Sequence, residues 1–171
     1  MSYLVESARR FAEKAHGDQK RKYTNEPYIT HPVTVSVLLR DFGFDEYVQA
    51  AAMLHDVVED CGVSLNEIRD LFGTKVALLV EEVTDVSRPE DGNRAIRRAK
   101  DLDHLAKASP QGQSIKLADL IDNTSSIVKH DPGFARIYLK EKEDLLDVLG
   151  SGNISLMMIA RNQISIARAS L

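Results

Sequence analysis

The feature that most constrains the fold of this chain is apolar periodicity, since hydrophobic residues recur at helical spacing along most of its 171 residues. The first segment is typical: between Leu4 and Ala15 the apolar residues would line one buried face of a helix. Similar stripes follow, and no two strand-like runs flank a hairpin turn. The sequence therefore predicts an all-α fold, a bundle of roughly eight to ten helices in one domain spanning residues 1–171.

Local signals place several helix boundaries. In one run valines alternate with polar residues, as in a strand, but Pro32 suits the first turn of a helix and Gly43 suits its end. We expect a helix there and another from about Glu46 to Val58. Farther on, the segment SPQGQ at 109–113 is expected to break the chain between two helices.

Composition excludes several classes of protein. Hydrophobic residues make up 43% and charged residues 28% of the chain, as in soluble globular proteins. The net charge of −4 disfavours general nucleic-acid binding. The single cysteine excludes an intrachain disulfide, and no stretch approaches the ~20 apolar residues of a membrane span or forms a signal peptide. We expect a cytoplasmic protein without nucleic-acid or membrane partners, for which oligomerisation stays open.

The segment AAMLHDVVEDC, residues 51–61, ends an apolar helical run with one histidine and three acids. Buried acids are costly unless something pairs with them, so either the helix emerges into water or a cation lies beside it. Glu59 follows His55 by four residues and Asp60 follows Asp56 by four. In a continuous helix each of these pairs would share a face.

Two other segments favour the interpretation that a cation lies beside this helix. His31 stands at the start of a helix, where alone it would be a polar cap, and Asp119 lies in the otherwise apolar KLADLIDN segment, where alone it would belong to an exposed stripe. Together with the His-Asp pair they supply four metal ligands from three helices, which leaves positions for water and substrate. Imidazole and carboxylate suit manganese, zinc, iron or cobalt. Glu59 and Asp60 would then act jointly as an acid–base pair.

These segments resemble a known family. The metal-binding signature of the HD phosphohydrolase superfamily matches four residues: His31, His55, Asp56 and Asp119. From about residue 8 to 127 the chain is also similar to the hydrolase domain of RelA/SpoT homologues, through QKRKYTNEPYITHP, AAMLHDVVED, LFGTKVALLVEEVTDV and SIKLADLIDN. The resemblance implies an all-helical, Mn²⁺-dependent domain that converts ppGpp and pppGpp into GDP or GTP and pyrophosphate. Another divalent metal is an alternative. Because the chain has about the size of this hydrolase domain alone, we expect a small alarmone hydrolase without the synthetase domain of the long bifunctional enzymes.

Carried over by position, the resemblance assigns a role to each matching residue. The metal ligands would be His31, His55, Asp56 and Asp119, and the catalytic pair would be Glu59 and Asp60. The substrate contacts would be Arg21 and Lys22 to the base or phosphates, Tyr28 as a pocket wall, and Asn123 to the ribose.

A polyphosphorylated substrate also needs cations beyond one metal. Lys20 extends the first basic segment, and a second cluster contains Arg94 and Arg97, together with Arg98 and Lys100. Guanidinium groups suit phosphate oxygens, so we expect these residues to face the substrate. The competing interpretation of the second cluster is a solvated helix face.

Two departures from the family pattern leave the substrate open. The segment between Lys22 and His31 is one residue longer than the common pattern, which loosens the alignment of Arg21 and Lys22 by one residue. Ser125 stands where the family usually has an arginine. Adenosine alarmones such as ppApp, or the 2′-phosphate of NADPH, are therefore alternative substrates. A non-catalytic nucleotide or metal sensor is an alternative of another class, which the complete set of ligands and acids disfavours.

Two further residues are expected to have no part in the chemistry. His16 lies in polar surroundings and is expected at the surface, with a place in the pocket beside the basic loop as the alternative. Cys61 has no nearby histidine with a clear orienting partner, so we expect a small buried thiol rather than a nucleophile.

Overall fold

The computed structural model describes residues 2–130 and 132–171, and for 125–130 and 132 it describes the backbone alone. Within these ranges it has ten α-helices, one short 3₁₀ helix and no strand beyond an isolated bridge between Lys20 and Pro27. The all-α prediction is confirmed. The chain divides into two compact units, Met1–Thr84 and Asp85–Leu171.

The first unit is built around one apolar helix. Its six helices are α1 (Tyr3–His16), α2 (Thr30–Asp41), α3 (Glu46–Leu54), α4 (Val57–Cys61), α5 (Leu65–Phe72) and α6 (Thr74–Val83). Helices α1, α2 and α6 pack against α3, and α4 packs against α1. The α3 segment from Ala50 to Leu54 is fully buried, as expected for a helix that is apolar nearly all round.

The second unit is built around a long helix. It contains a 3₁₀ turn at Pro89–Asp91, α7 (Arg94–Ala106), α8 (Pro110–His130), α9 (Pro132–Val148) and α10 (Ile154–Ala169). Helices α7, α9 and α10 all pack against α8. Leu117 and Leu120 of α8 are completely buried, as is Leu156 of α10.

The helix expected from Glu46 to Val58 is in fact two helices. α3 ends at Leu54 and α4 begins at Val57, so the prediction of one continuous helix is wrong. His55 Nδ1 lies 2.8 Å from the carbonyl oxygen of Ala52, the acceptor that the backbone N–H of Asp56 would use in a continuous helix. A side chain that competes for a backbone acceptor in this way favours the end of a helix.

The break expected at 109–113 is shorter than predicted. α8 already begins at Pro110, because a proline at the first helical position gives up no intrahelical hydrogen bond. The helix starting near Pro32 is confirmed as α2. In the described part of the chain, none of the helices is both long and apolar enough to cross a membrane.

Candidate active site

Three candidate metal ligands of the first unit lie together. His31 is on the first turn of α2, while His55 and Asp56 connect α3 to α4. The two Nε2 atoms of the histidines are 3.2 Å apart, and Asp56 Oδ2 lies 3.0 Å from His55 Nε2 and 3.6 Å from His31 Nε2. These three side chains therefore form a group that could hold a metal ion.

The protonation of His55 suits a metal ligand. A carbonyl oxygen only accepts, so His55 Nδ1 carries the proton that it donates to Ala52. In the neutral ring Nε2 then presents its lone pair, and ligating histidines commonly donate their other N–H to a backbone carbonyl in this way. Both histidine residues are only 2% exposed. Donor atoms that share one ion through bonds of about 2.1 Å lie roughly 3 to 3.5 Å apart, which is close to the 3.0 to 3.6 Å between these atoms.

Tyr28 contacts the candidate ligand group directly. Its hydroxyl donates a hydrogen bond of 2.6 Å to Asp56 Oδ2. The loop that carries it, residues 17–29, is closed by backbone hydrogen bonds of 2.9 Å from Tyr28 to Gln19 and from Arg21 to Glu26. The predicted substrate residues Lys20, Arg21 and Lys22 lie on this loop. The Lys22 ammonium is 5.0 Å from the ring centroid of Tyr23, within cation–π range.

The predicted acid–base pair lies on α4, directly after the ligand pair. Glu59 and Asp60 are both exposed. Asp60 Oδ2 accepts a hydrogen bond of 3.0 Å from the side-chain amide of Gln19. Glu59 and Asp60 follow Asp56 by three and four residues along the chain.

Two residues differ from their sequence-based interpretation. His16, expected at the surface, is buried at 6% exposure, because its ring packs on the ring of Tyr28 with 4.5 Å between centroids. Cys61, expected to be a buried thiol without an oriented histidine nearby, is half-buried, and its Sγ lies 3.3 Å from His16 Nδ1. Desolvation, together with the charges of Asp60 and Asp56, raises the pKa of the Cys61 thiol, so this thiol is a weak nucleophile. No local signal links residues that lie 45 positions apart.

The fourth candidate ligand, Asp119, belongs to the second unit. It is 6% exposed and accepts a 2.6 Å hydrogen bond at Oδ1 from the amide of Asn123. Lys116 Nζ lies 3.3 Å from Asp119 Oδ2. Lys116 was missed as a candidate, although its position three residues before Asp119 on a helix could have indicated the pair. Desolvation lowers the pKa of Lys142, an effect that the charge of Asp119 opposes.

The second basic cluster lines a cavity of about 320 Å³ in the second unit. Arg94 makes two hydrogen bonds, of 2.8 and 3.0 Å, to the carboxylate of Glu141, and Arg98 lies 2.9 Å from Asp144. The cluster is therefore largely paired with acids of α9 rather than simply solvated. Lys100 instead pairs with Asp91 at 2.8 Å.

Arg97 also lines the cavity, and its Nε is buried without a hydrogen-bond partner in the described part of the chain.

Ser125 lies on α8, and its side chain lies outside the described residues.

The chain matches the family model described as HD domain over residues 8–143. The match runs through both compact units. It contains all four residues of the predicted signature, His31, His55, Asp56 and Asp119.

Two relatives with named activities are similar to this chain in sequence. The chain is 38% identical over 125 residues to the Drosophila melanogaster guanosine-3′,5′-bis(diphosphate) 3′-pyrophosphohydrolase MESH1, covering 71% of this chain and 68% of MESH1. It is 37% identical over 123 residues to the enzyme of that activity from Aquifex aeolicus, covering 72% of this chain but 18% of the relative. The chain thus spans less than a fifth of the length of such bacterial relatives.

A solved structure has the same fold throughout. It is described as a metazoan ortholog of SpoT that hydrolyzes ppGpp and plays a role in starvation responses, and it matches with a TM-score of 0.86 at 30% identity. The match covers 100% of this chain and 98% of that one. These findings confirm the resemblance that the histidine and aspartate order predicted, and the chain belongs to the HD domain family.

Proposed function

We propose that this protein is a metal-dependent 3′-pyrophosphohydrolase of guanosine alarmones, which converts ppGpp and pppGpp into GDP or GTP and pyrophosphate. The observation that carries the proposal is the group of His31, His55 and Asp56, whose donor atoms lie 3.0 to 3.6 Å apart. The names of the relatives, which include guanosine-3′,5′-bis(diphosphate) 3′-pyrophosphohydrolases, support the substrate.

In this proposal His31, His55 and Asp56 hold one divalent ion, Mn²⁺ by preference, and Asp119 is the fourth ligand. Two neutral imidazoles and two carboxylates balance the charge of such an ion. When bound, the ion would polarise a phosphoryl oxygen and make water more acidic. Because Asp119 belongs to the second unit, the proposal also requires both units to work as one domain, residues 1–171.

Hydrolysis adds one water across the bond between the 3′ oxygen and the pyrophosphate. The water oxygen goes to phosphorus and a proton goes to the 3′ oxygen of the nucleoside. Glu59 and Asp60 are the carboxylates that would accept and return this proton. Their exposure on α4, next to the ligand pair, supports that role.

The substrate carries several phosphate charges, which the two basic segments would bind. Lys20, Arg21 and Lys22 share a loop with Tyr28, whose hydroxyl contacts Asp56. The buried Nε of Arg97 has no hydrogen-bond partner among the described residues, which supports a contact with an acceptor such as a phosphate oxygen.

Two further predicted substrate contacts involve residues that already make hydrogen bonds within the protein. Arg94 would have to release Glu141, to which it is hydrogen-bonded. Asn123 would use its second amide hydrogen for the ribose, because the first is donated to Asp119.

The test is to measure phosphate and pyrophosphate release with Mn²⁺ from ppGpp, ppApp, NADPH and dGTP in parallel. Pyrophosphate release from ppGpp, with GDP left behind, is the expected result. Release from ppApp or NADPH alone would overturn the guanosine assignment while keeping a hydrolase. Metal binding without release from any nucleotide would overturn catalysis in favour of a sensor. The proposed partner is thus a small nucleotide, and a cytoplasmic location would supply it.

A further inference from the structure

We infer that Gln19, held in place by the buried side chain of His16, is a positioning residue that orients the carboxylate of Asp60 for proton transfer. The inference rests on the proposed function, in which Asp60 belongs to the acid–base pair. It concerns two residues for which the sequence predicted no catalytic role.

The orientation of the Gln19 amide follows from its partners. Its Nε2 donates to Asp60 Oδ2 at 3.0 Å, since a carboxylate oxygen accepts. The amide oxygen then faces His16 Nδ1 at 2.8 Å. His16 must therefore carry its proton on Nδ1 to donate to this oxygen. Both ends of the amide are engaged, so the side chain of Gln19 has one favoured orientation.

His16 is costly to bury and so requires an explanation. It is only 6% exposed, and its Nε2 finds no hydrogen-bond partner among the described residues. A buried polar atom left without a partner is destabilising, and an apolar side chain would fill the same space against the Tyr28 ring. Histidine adds Nδ1 at this position, which donates to Gln19 at 2.8 Å and also lies 3.3 Å from the sulfur of Cys61.

Gln19 contacts Asp60 through its side chain and the loop beside the candidate metal group through its backbone. The N–H of Gln19 donates to the carbonyl oxygen of His16, and its own carbonyl accepts from the N–H of Tyr28, each at 2.9 Å. The Tyr28 hydroxyl in turn donates to Asp56 at 2.6 Å. One short loop thus contacts both a candidate ligand and a candidate acid or base.

Asp60 needs a contact that orients its carboxylate, because it is exposed on a short helix. α4 has five residues, and the Asp60 residue is exposed. An exposed side chain exchanges between staggered rotamers unless a contact selects one. The hydrogen bond from Gln19 selects one orientation of the carboxylate, which a proton-transfer group requires.

The primary test is steady-state kinetics of the full chain with Mn²⁺ and ppGpp. Gln19→Ala should lower kcat roughly ten- to hundredfold, as expected for a misplaced reacting group, with KM and bound metal little changed. Gln49→Ala is the matched control, since Gln49 is also half-buried in the first unit and donates to a backbone carbonyl, that of Phe44, at 2.8 Å. A similar kcat loss in both variants would indicate a general structural effect and overturn the inference.

Two further comparisons separate positioning from structure. His16→Asn, which keeps a donor near the Nδ1 position, should retain most of the activity that His16→Leu loses. The double variant Gln19→Ala/Asp60→Ala should be no slower than Asp60→Ala alone, because residues that act as a unit are not additive. Independent, multiplying losses would overturn the inference.

The outcomes also distinguish this inference from the proposed function. A wild-type chain that hydrolyses none of the nucleotides would overturn both. An active chain that loses turnover in Asp60→Ala but keeps its full rate in Gln19→Ala would overturn the inference alone.

Discussion

The hydroxyl of Tyr28 donates a 2.6 Å hydrogen bond to Asp56, whose same carboxylate oxygen lies 3.0 Å from His55 Nε2. A residue of the 17–29 loop therefore fixes a carboxylate at the junction of α3 and α4. Outer hydrogen bonds of this kind orient metal ligands and tune their affinity. The loop is thus part of the candidate metal centre as well as of the proposed substrate pocket.

Tyr28→Phe removes only the hydroxyl, so we expect metal affinity or activity to fall about 10- to 100-fold. Titration with Mn²⁺ followed by calorimetry measures the affinity. Tyr47→Phe is the control, since the ring of Tyr47 lies on α3 and the residue is 39% exposed. Unchanged metal affinity and rate in Tyr28→Phe would contradict a supporting role.

His55→Ala is expected to lose both bound metal and activity, by more than the roughly 10- to 100-fold that an outer partner costs. Elemental analysis of the purified variant gives the metal content. Because His55 is buried, thermal unfolding should be compared with that of chelator-treated wild type, which also lacks the metal. A folded variant with full metal content would exclude His55 as a ligand.

Glu59→Ala should keep the metal and lose turnover, because Glu59 is exposed on α4 outside the candidate ligand group. Loss of a general acid or base lowers kcat by about 10²- to 10⁴-fold. Metal content and kcat measured on one preparation separate the two effects. If the variant is also stripped of metal, the division of roles between ligands and acid–base residues is wrong.

Arg97→Glu should raise KM for ppGpp roughly tenfold or more, since hydrogen bonds to charged groups contribute about 1.5 to 3 kcal/mol. The effect should weaken for nucleotides with fewer phosphates. Arg161→Glu carries the same charge change on α10, outside the cavity that Arg97 lines. Equal KM values for the two variants would argue against phosphate binding by Arg97.

Asp45 should stabilise the helix that leads to His55. Its carboxylate accepts from the backbone N–H groups of Tyr47 and Val48 at 3.1 Å, as the N-cap of α3. Asp45→Ala should lower the free energy of unfolding by about 1 kcal/mol, measured by denaturant titration. Ser64→Ala, which removes the N-cap of α5, should cost a similar amount without affecting α3.

The contribution of Asp45 should depend on pH. Burial raises its pKa, but hydrogen bonds from Lys75 and from Val48 outweigh this effect and lower the pKa from 3.8. The stabilisation is therefore complete above about 3.8 and is lost as the pH falls through the lower folded value. The difference between wild type and Asp45→Ala should shrink over that acidic range, and a difference that grows there would contradict the assignment.

The helical class and the His-Asp signature could be predicted because both are local along the chain. Periodicity identified α1, while Pro32 and Gly43 identified α2 against an alternation typical of a strand. Residue order identified three ligand candidates that the structure brings together. The division of the helix at His55 could not be predicted, since apolar spacing does not show that a side chain takes a backbone acceptor. The pairing of Arg94 with Glu141 could not be predicted either, because these residues lie 47 positions apart in the sequence.

The sequence by itself determined the fold class and the chemical groups of the site, because helical spacing and the identity of His31, His55 and Asp56 are properties of the chain. Only the tertiary structure decided that Tyr28 supports Asp56 and that Gln19 contacts Asp60. These contacts span 28 and 41 residues, and they form because helix packing brings the end of α1 and the loop after it against α4. Contacts between residues so far apart in sequence depend on how the core packs, which cannot be predicted from any local pattern of residues.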